Sequence, residues 1–413
     1  MSIDSISRVD SEIGKLQRVM VHRPGIELER LTGENKESFL FDDLLWVQKA
    51  QEEHDKFVAE LRNNKIEVVY FKDLLSDLLQ EKFLKVRLVD EVLKKEELDQ
   101  NLFDKLFQLM TGLDPTDLAN IFLGGITKRE LFKYETVSTR SLLLKILSDD
   151  DFIIPPVPNI YFQRDPCIII QDMLIPSRMR YRVRQRESLL VRHLINHHKM
   201  FDQYRKLDIN ASYIPPDSIT IEGGDVIILS ENTIAIGISQ RTSATAIQLM
   251  GQILSRNSSI KRILAINIPK SRAMMHLDTV FAMIDNDTFA IFSDIIHNSE
   301  TWLLEFDHSG ELTHIREFDN IHKGVEDLLN RKVFFLPALD KIDPVTESRE
   351  QWTDGPNILT MSPGNIFSYD RNIQTNANLE RSGITVCRVS GCELGRGRGG
   401  PRCMVMPLSR DCN

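Results

Sequence analysis

Residues 225–269 read DVIILSENTIAIGISQRTSATAIQLMGQILSRNSSIKRILAINIP, and how this stretch divides decides the fold. Two β-type runs, DVIIL and TIAIGI, flank the polar SEN, which reads as the turn of a hairpin. Residues 242–256 then show helical periodicity, and RILAINIP closes the stretch as a third β-type run. The pattern is a ββαβ unit. Similar runs lie on both sides of it: CIIIQDMLIP, VFAMIDNDTFAIF, KVFFLPA, NILTMSPGNIFSYD and ITVCRV, with DND and PGN as further turns and a helix over 184–199. Strand pairs alternating with single helices predict an α/β fold built from repeats of this unit.

Towards the N-terminus, residues 16–24 (LQRVMVHRP) and 65–71 (KIEVVYF) read as strands around a helical stretch within 38–64. The character then changes. From Asp73 to about Asp149, leucines and phenylalanines recur at three-and-four spacing among Lys and Glu, which predicts a cluster of short helices. The expected organisation is an inserted helical bundle at 73–148 within a domain formed by 1–72 and 149–413. The leucine-rich faces of the bundle can serve its own small core or a contact in a homo-oligomer, dimer or tetramer.

Composition narrows the function classes. With 42% hydrophobic and 27% charged residues, the 413-residue chain reads as an ordinary globular protein. No apolar run approaches the roughly 20 residues needed to cross a bilayer, and the first residues lack the pattern of a secretory signal, so no membrane partner and a cytoplasmic location are expected. A net charge of -9 argues against nucleic acid as partner and is compatible with a cationic small molecule. The cysteines are Cys167, Cys387, Cys392, Cys403 and Cys412. An odd number without an export signal predicts free thiols, and no matching pair of pairs suggests zinc, so neither metal nor cofactor is expected. His193 and His197 in HLINH lack the acid of a metalloprotease helix and read as a solvated helix face.

Chemistry-bearing residues gather at the entrances of the β-type runs. NIYFQRDP supplies Asn159, Arg164 and Asp165; IEGGDV supplies Glu222 and Asp225; MMHLDTVFAM supplies His276 and Asp278; and the terminal GRGRGGPRC supplies Arg398 and Cys403. The glycines after Glu222 permit close backbone approach at a strand entrance. Together these residues amount to a nucleophile, a base and acids.

With VDSEIGKLQRVMVHRPG, FQRDP, IEGGDV, HLDTVF, REQWTDGPN, SPGNIFSYDRN and GRGRGGPRCMVMPL in this order, the chain closely resembles the arginine deiminase family of guanidine-modifying penteins, from about residue 9 to residue 408. The resemblance implies a pseudo-symmetric α/β propeller of five modules with an inserted helical bundle. It also implies hydrolysis of L-arginine to L-citrulline and ammonia, the first step of arginine breakdown. Cys403 would be the nucleophile, His276 the proton carrier, Asp165 and Asp278 the acids that grip the guanidinium, and Glu222 the partner of His276. Asn159, Phe162, Arg184, Arg241 and Arg398 would bind the rest of the substrate, the arginines on its α-carboxylate. Gln163 and Arg402 depart from the commoner Thr and His, at positions to which the family assigns no chemistry. A deiminase of another guanidine such as agmatine, and a catalytically silent scaffold, are the other readings left open.

Overall fold

The computed structural model describes residues 7–134, 140–209, 217–337 and 344–411; Cys412 lies outside them. The stretch 225–269 forms strands Val226–Ser230 and Thr233–Ile238, helix Ala244–Asn257 and strand Arg262–Asn267. The first two strands pair antiparallel, and the third runs parallel to the second. A parallel neighbour needs a crossover long enough to return the chain, which the amphipathic helix supplies while covering one face of the sheet.

The same pairing occurs in five sheets. Cys167–Ile170 and Met173–Pro176 pair antiparallel, with Arg205–Lys206 parallel to the latter. Phe281–Met283 and Thr288–Ile291 are followed by Phe334–Pro337, and Leu359–Ser362 and Asn365–Tyr369 by Thr385–Val389. In the last unit the chain ends meet: Met406–Arg410 pairs antiparallel with Leu16–Val21, which runs parallel to Glu67–Tyr70. The architecture is α/β, and no sheet closes on itself among the described residues. One hairpin was not singled out from the sequence. Thr301–Phe306 and Leu312–Phe318 extend the third sheet to five strands. Leu312–Phe318 is an edge strand with mostly exposed side chains, so its sequence, LTHIREF, lacks a clean apolar alternation.

Between Glu67–Tyr70 and Phe152–Ile154 the chain is mostly helical: Phe71–Leu78, Lys82–Leu93, Gln100–Gly112, Pro115–Gly124, Lys128–Tyr134 and Leu142–Ile146. Asp99 and Asp114 accept hydrogen bonds from the first-turn amides of the third and fourth helices, which sets where these begin. Leu75, Leu88, Leu106 and Phe122 pack in one continuous apolar cluster with Ile168, Leu174 and Leu190 of the second sheet and its helix. The helices therefore share their core with the β units rather than enclosing a separate one. His193, on the helix Arg182–His197, is buried against this region with Nε2 3.0 Å from Glu91. The expectation of a solvated HLINH face fails at His193, because Glu91 of helix Lys82–Leu93 covers it.

Candidate active site

Four of the sequence-proposed site residues sit at equivalent places in the repeat. Asp165, Glu222, Asp278 and Cys403 each precede the first strand of a unit by two to four residues, those strands beginning at Cys167, Val226, Phe281 and Met406. The remaining unit, opening at Leu359, has Asn357 at this place. Strand entrances of successive units thus bring together residues far apart in the chain.

Asp165, His276 and Cys403 line one cavity with Asn159, Phe162, Arg184, Arg241 and Arg398, and Glu222 and Asp278 are bonded directly behind it. Every sequence-proposed site residue is therefore brought to one place, and all are buried. The cavity has room for about one water molecule, about 10 Å³. Its lining includes Leu40, whose carbonyl accepts from Arg272, and Arg398, whose guanidinium lies 3.6 Å from the ring centre of Trp352. Leu40 (φ 67°) and Arg398 (φ 64°) both adopt the left-handed backbone region, which is unfavourable for side chains of their size.

Close approach explains the glycines. A Cβ on Gly223 would lie 2.1 Å from the Arg164 carbonyl, and one on Gly224 2.8 Å from the His276 ring, so this strand entrance tolerates no side chain.

Cys403 is a free thiol. Its Sγ is 3.1 Å from Asn357 Nδ2 and 3.7 Å from Asp278 Oδ2, and its amide donates to Asn357 Oδ1 at 3.2 Å. Burial, then Asp278, Asp165 and Asp354, push the thiol well above its usual range, against the opposing pull of Arg402. The resting group is a thiol. Asp354 adds to this: both its oxygens are buried without a hydrogen-bond partner, and burial raises it to about 7.

His276 stands between acids. Its Nε2 is 2.8 Å from Glu222 Oε2 and its Nδ1 3.7 Å from Asp165 Oδ1. Burial alone would lower its pKa, but Asp165, Glu222 and Asp225 outweigh it and raise it to about 9, so the imidazole is a cation at neutral pH. Glu222 is held at about 2: burial acts to raise it, and Arg241, His276 and Arg184 overcome that. Asp225 accepts from the Leu277 amide at 2.8 Å and so holds the backbone beside His276.

Each of the two remaining acids keeps one oxygen without a hydrogen bond, that of Asp165 facing His276 Nδ1 at 3.7 Å. Asp165 Oδ2 accepts from Arg184 Nη1 at 2.7 Å, and Asp278 Oδ2 from Arg402 Nη1 at 2.7 Å, while Asp165 Oδ1 and Asp278 Oδ1 have no hydrogen-bond partner. Buried carboxylate oxygens in this condition are costly unless a donor arrives, and a planar guanidinium carries donors of the right geometry. Asp165, Glu222 and His276 also offer atoms within 4.8 Å of one another, close enough to share a metal ion. Arg184 and Arg241 supply positive charge to the same set, 2.7 Å from Asp165 and 3.2 Å from Glu222.

Of the three arginines proposed for a substrate carboxylate, Arg241 retains an unpartnered Nε and Arg398 an unpartnered Nε and Nη1. Arg184 is engaged by Asp165 and, through Nε and Nη2, by Glu187. Asn159 donates to the Phe39 carbonyl at 2.8 Å. Sequence reasoning passed over Asn357, Asp354 and Glu187; Arg402, at a position to which the resemblance assigns no chemistry, places its guanidinium on Asp278. Asp354 and Asn357 both lie in the motif REQWTDGPN, and Asn357 also stands at the common place in the repeat, so the sequence held a signal for them.

Comparison with known proteins agrees with this geometry. The family model described as arginine deiminase matches residues 37–410. An arginine deiminase of Bacillus cereus (strain ATCC 10987 / NRS 248) is 39% identical over 409 residues, covering 97% of this chain and 98% of that one. One from Limosilactobacillus fermentum is 37% identical over 411 residues, covering 98% of each. Among solved structures, an amidinotransferase of saxitoxin biosynthesis from Microseira wollei superposes with a TM-score of 0.56 at 11% identity, over 99% of this chain and 98% of that one. Dimethylarginine dimethylaminohydrolase from Pseudomonas aeruginosa, complexed with citrulline, gives 0.51 at 13% identity, over 95% and 99%. These structural likenesses bear on the fold alone.

Proposed function

From the premise that this chain belongs to the arginine deiminase family, we propose how its pocket hydrolyses L-arginine to L-citrulline and ammonia. The observation that carries the reading is a buried free thiol, Cys403, in one pocket with two acids that each keep an oxygen free, Asp165 Oδ1 and Asp278 Oδ1. The substrate guanidinium takes those two oxygens, which fixes its plane and sets its carbon over Sγ. Arrival of this cation also offsets the negative surroundings that keep Cys403 protonated, so binding and activation of the nucleophile are coupled.

As the cation binds, the Cys403 thiol releases its proton to solvent, and the thiolate attacks the guanidinium carbon, forming a C–S bond while the C=N π pair moves onto nitrogen. His276, a cation in the resting site, donates a proton to one terminal nitrogen, and ammonia leaves with the C–N bonding pair. The remaining amidino group stays on sulfur. The now neutral imidazole takes a proton from water as its oxygen attacks the same carbon, and collapse breaks the C–S bond while the remaining hydroxyl proton passes to sulfur, giving citrulline and the resting thiol. Glu222 holds His276 at 2.8 Å throughout.

Arg241 and Arg398 have donors to give to the α-carboxylate without breaking an existing bond, whereas Arg184 must first yield part of its hold on Asp165 or Glu187. Asn159 and Phe162 line the aliphatic stem. Because the cavity admits about one water, entry requires the Leu40 and Arg398 segments to move apart. We read the five ββαβ units as the modules of the pentein propeller, residues 73–148 as an insertion, the protein as cytoplasmic, and homo-oligomerisation as a use of the helical segment.

A citrulline assay with L-arginine and agmatine tests the reading. The parent forms citrulline and Cys403→Ser does not. Arg241→Ala and Arg398→Ala raise KM for L-arginine about tenfold or more while changing agmatine turnover little. A parent that makes no citrulline overturns the reaction, and equal effects on both substrates overturn the carboxylate assignment.

A further inference from the structure

Arg402 precedes the nucleophile by one residue and is 2% exposed. Its guanidinium meets four acceptors: Nη1 donates to Asp278 Oδ2 at 2.7 Å, Nη2 to Glu12 Oε1 at 3.0 Å and to the Val226 carbonyl at 2.9 Å, and Nε lies 3.3 Å from Glu12 Oε2. Glu12 thus grips the fork from its far side by two bonds, and its own amide donates to the Ile228 carbonyl at 3.1 Å. The plane of the cation is therefore set by the N-terminal segment and by strand Val226–Ser230, neither of which contributes to the cavity wall.

We propose that Arg402, held by Glu12, is a positioning residue for the reaction: it pins one oxygen of Asp278 and thereby aims the other at the substrate guanidinium. A carboxylate on a single-bonded stem rotates about χ2 with a broad, roughly two-fold preference, so a buried aspartate with no fixed partner does not select an orientation. The bond from Arg402 selects one. Asp165 has the corresponding arrangement, with Arg184 on Oδ2 and Oδ1 free, so both acids are oriented by an internal arginine. The role of Arg402 extends to charge. Burial raises Asp278, and Arg402 is foremost among the groups opposing that; His276 also opposes it, while Asp165 reinforces it. Arg164, Cys403 and Asp354 face the same carboxylate electrostatically. Glu12 is itself held at about 2, its burial outweighed by Arg402, Arg164 and Arg410, so the clamp stays ionised wherever the enzyme works.

This inference rests on the assignment of Asp278 to the guanidinium, and the test separates the two. L-arginine binding is measured by calorimetry in the Cys403→Ser background, and kcat/KM against pH in the parent background, for Arg402→Met, Arg402→Lys and Glu12→Gln. Arg402→Met is expected to weaken binding about tenfold to a hundredfold and to move the acid limb of kcat/KM to higher pH, since Asp278 loses the cation that favours its ionised form. Arg402→Lys restores part of both, and Glu12→Gln gives a smaller loss in the same direction. A folded Arg402→Met protein with parental affinity and an unmoved acid limb overturns the proposal. Should Arg402→Met not fold, parental affinity and an unmoved acid limb in both Arg402→Lys and Glu12→Gln overturn it equally. A parent enzyme that forms no citrulline overturns the functional reading instead, and an active parent with indifferent variants overturns the positioning role alone.

Discussion

The pocket and the helical segment 71–146 bury their side chains by opposite means. Around Cys403 the interior holds Asp165, Glu222, His276, Asp278, Arg184 and Arg402, ionisable groups balanced against one another with selected oxygens left unpaired. In the helical segment Leu75, Leu88, Leu106, Met110 and Phe122 are buried with no charge among them. The contrast separates two kinds of consequence. Apolar burial stabilises in proportion to the surface removed from water and is insensitive to small displacements. The pocket instead holds unpaired oxygens that favour folding little, and whose function depends on orientation to a fraction of an ångström.

The sharpest break of this contrast would come from His276→Ala. It should lower kcat about 10³-fold or more in a citrulline assay, because proton delivery and water activation are both lost, while thermal unfolding still shows a folded protein. A kcat within tenfold of the parent would remove His276 from the chemistry. On the other side of the comparison, Leu106→Ala should cost about 2–5 kcal/mol of stability by leaving a cavity. Denaturant unfolding reads the loss, and kcat and KM should not move; a changed KM would mean that the helical segment reaches into the pocket.

The smallest effect concerns pH. His276 is at about 9 in the folded chain and near 6.5 unfolded, so its pairing contributes stability fully present below about 6.5 and lost as pH rises through about 9. Glu222 has the reverse sign: held at about 2, it contributes above its unfolded value near 4.5 and loses that contribution as pH falls through about 2. In Glu222→Gln, His276 loses its closest anion, so the alkaline loss in Tm should begin at lower pH than in the parent. Identical alkaline Tm profiles would show that Asp165 and Asp225 alone hold the imidazole cation.

Much of this was legible beforehand, unevenly. Hairpins with clear turns, such as VIIL-SEN-TIAIGI, were found because both strands are buried and their apolar runs are continuous. The hairpin 301–318 was missed because its outer strand is an edge. Asp165, Glu222, His276, Asp278 and Cys403 were named through a family likeness, and the fold brings all five together. Asn357 escaped, although it closes the motif REQWTDGPN, because an asparagine before a strand reads as a turn residue; its side chain lies 3.1 Å from Sγ. His193 reads as solvated because its helix looks polar in isolation, yet Glu91 of helix Lys82–Leu93 covers it.

By itself, then, the sequence determined the alternation of strand pairs with single helices and the helical character of the segment after Asp73, since these follow from local periodicity, while the reactive groups were named only through the family resemblance. Tertiary structure decided which oxygen of each acid is free, that His276 is a cation and that Arg402 lies on Asp278. Charge state and hydrogen-bond direction depend on what else is buried within a few ångströms, and those neighbours, such as Glu12 and Arg402, come from opposite ends of the chain.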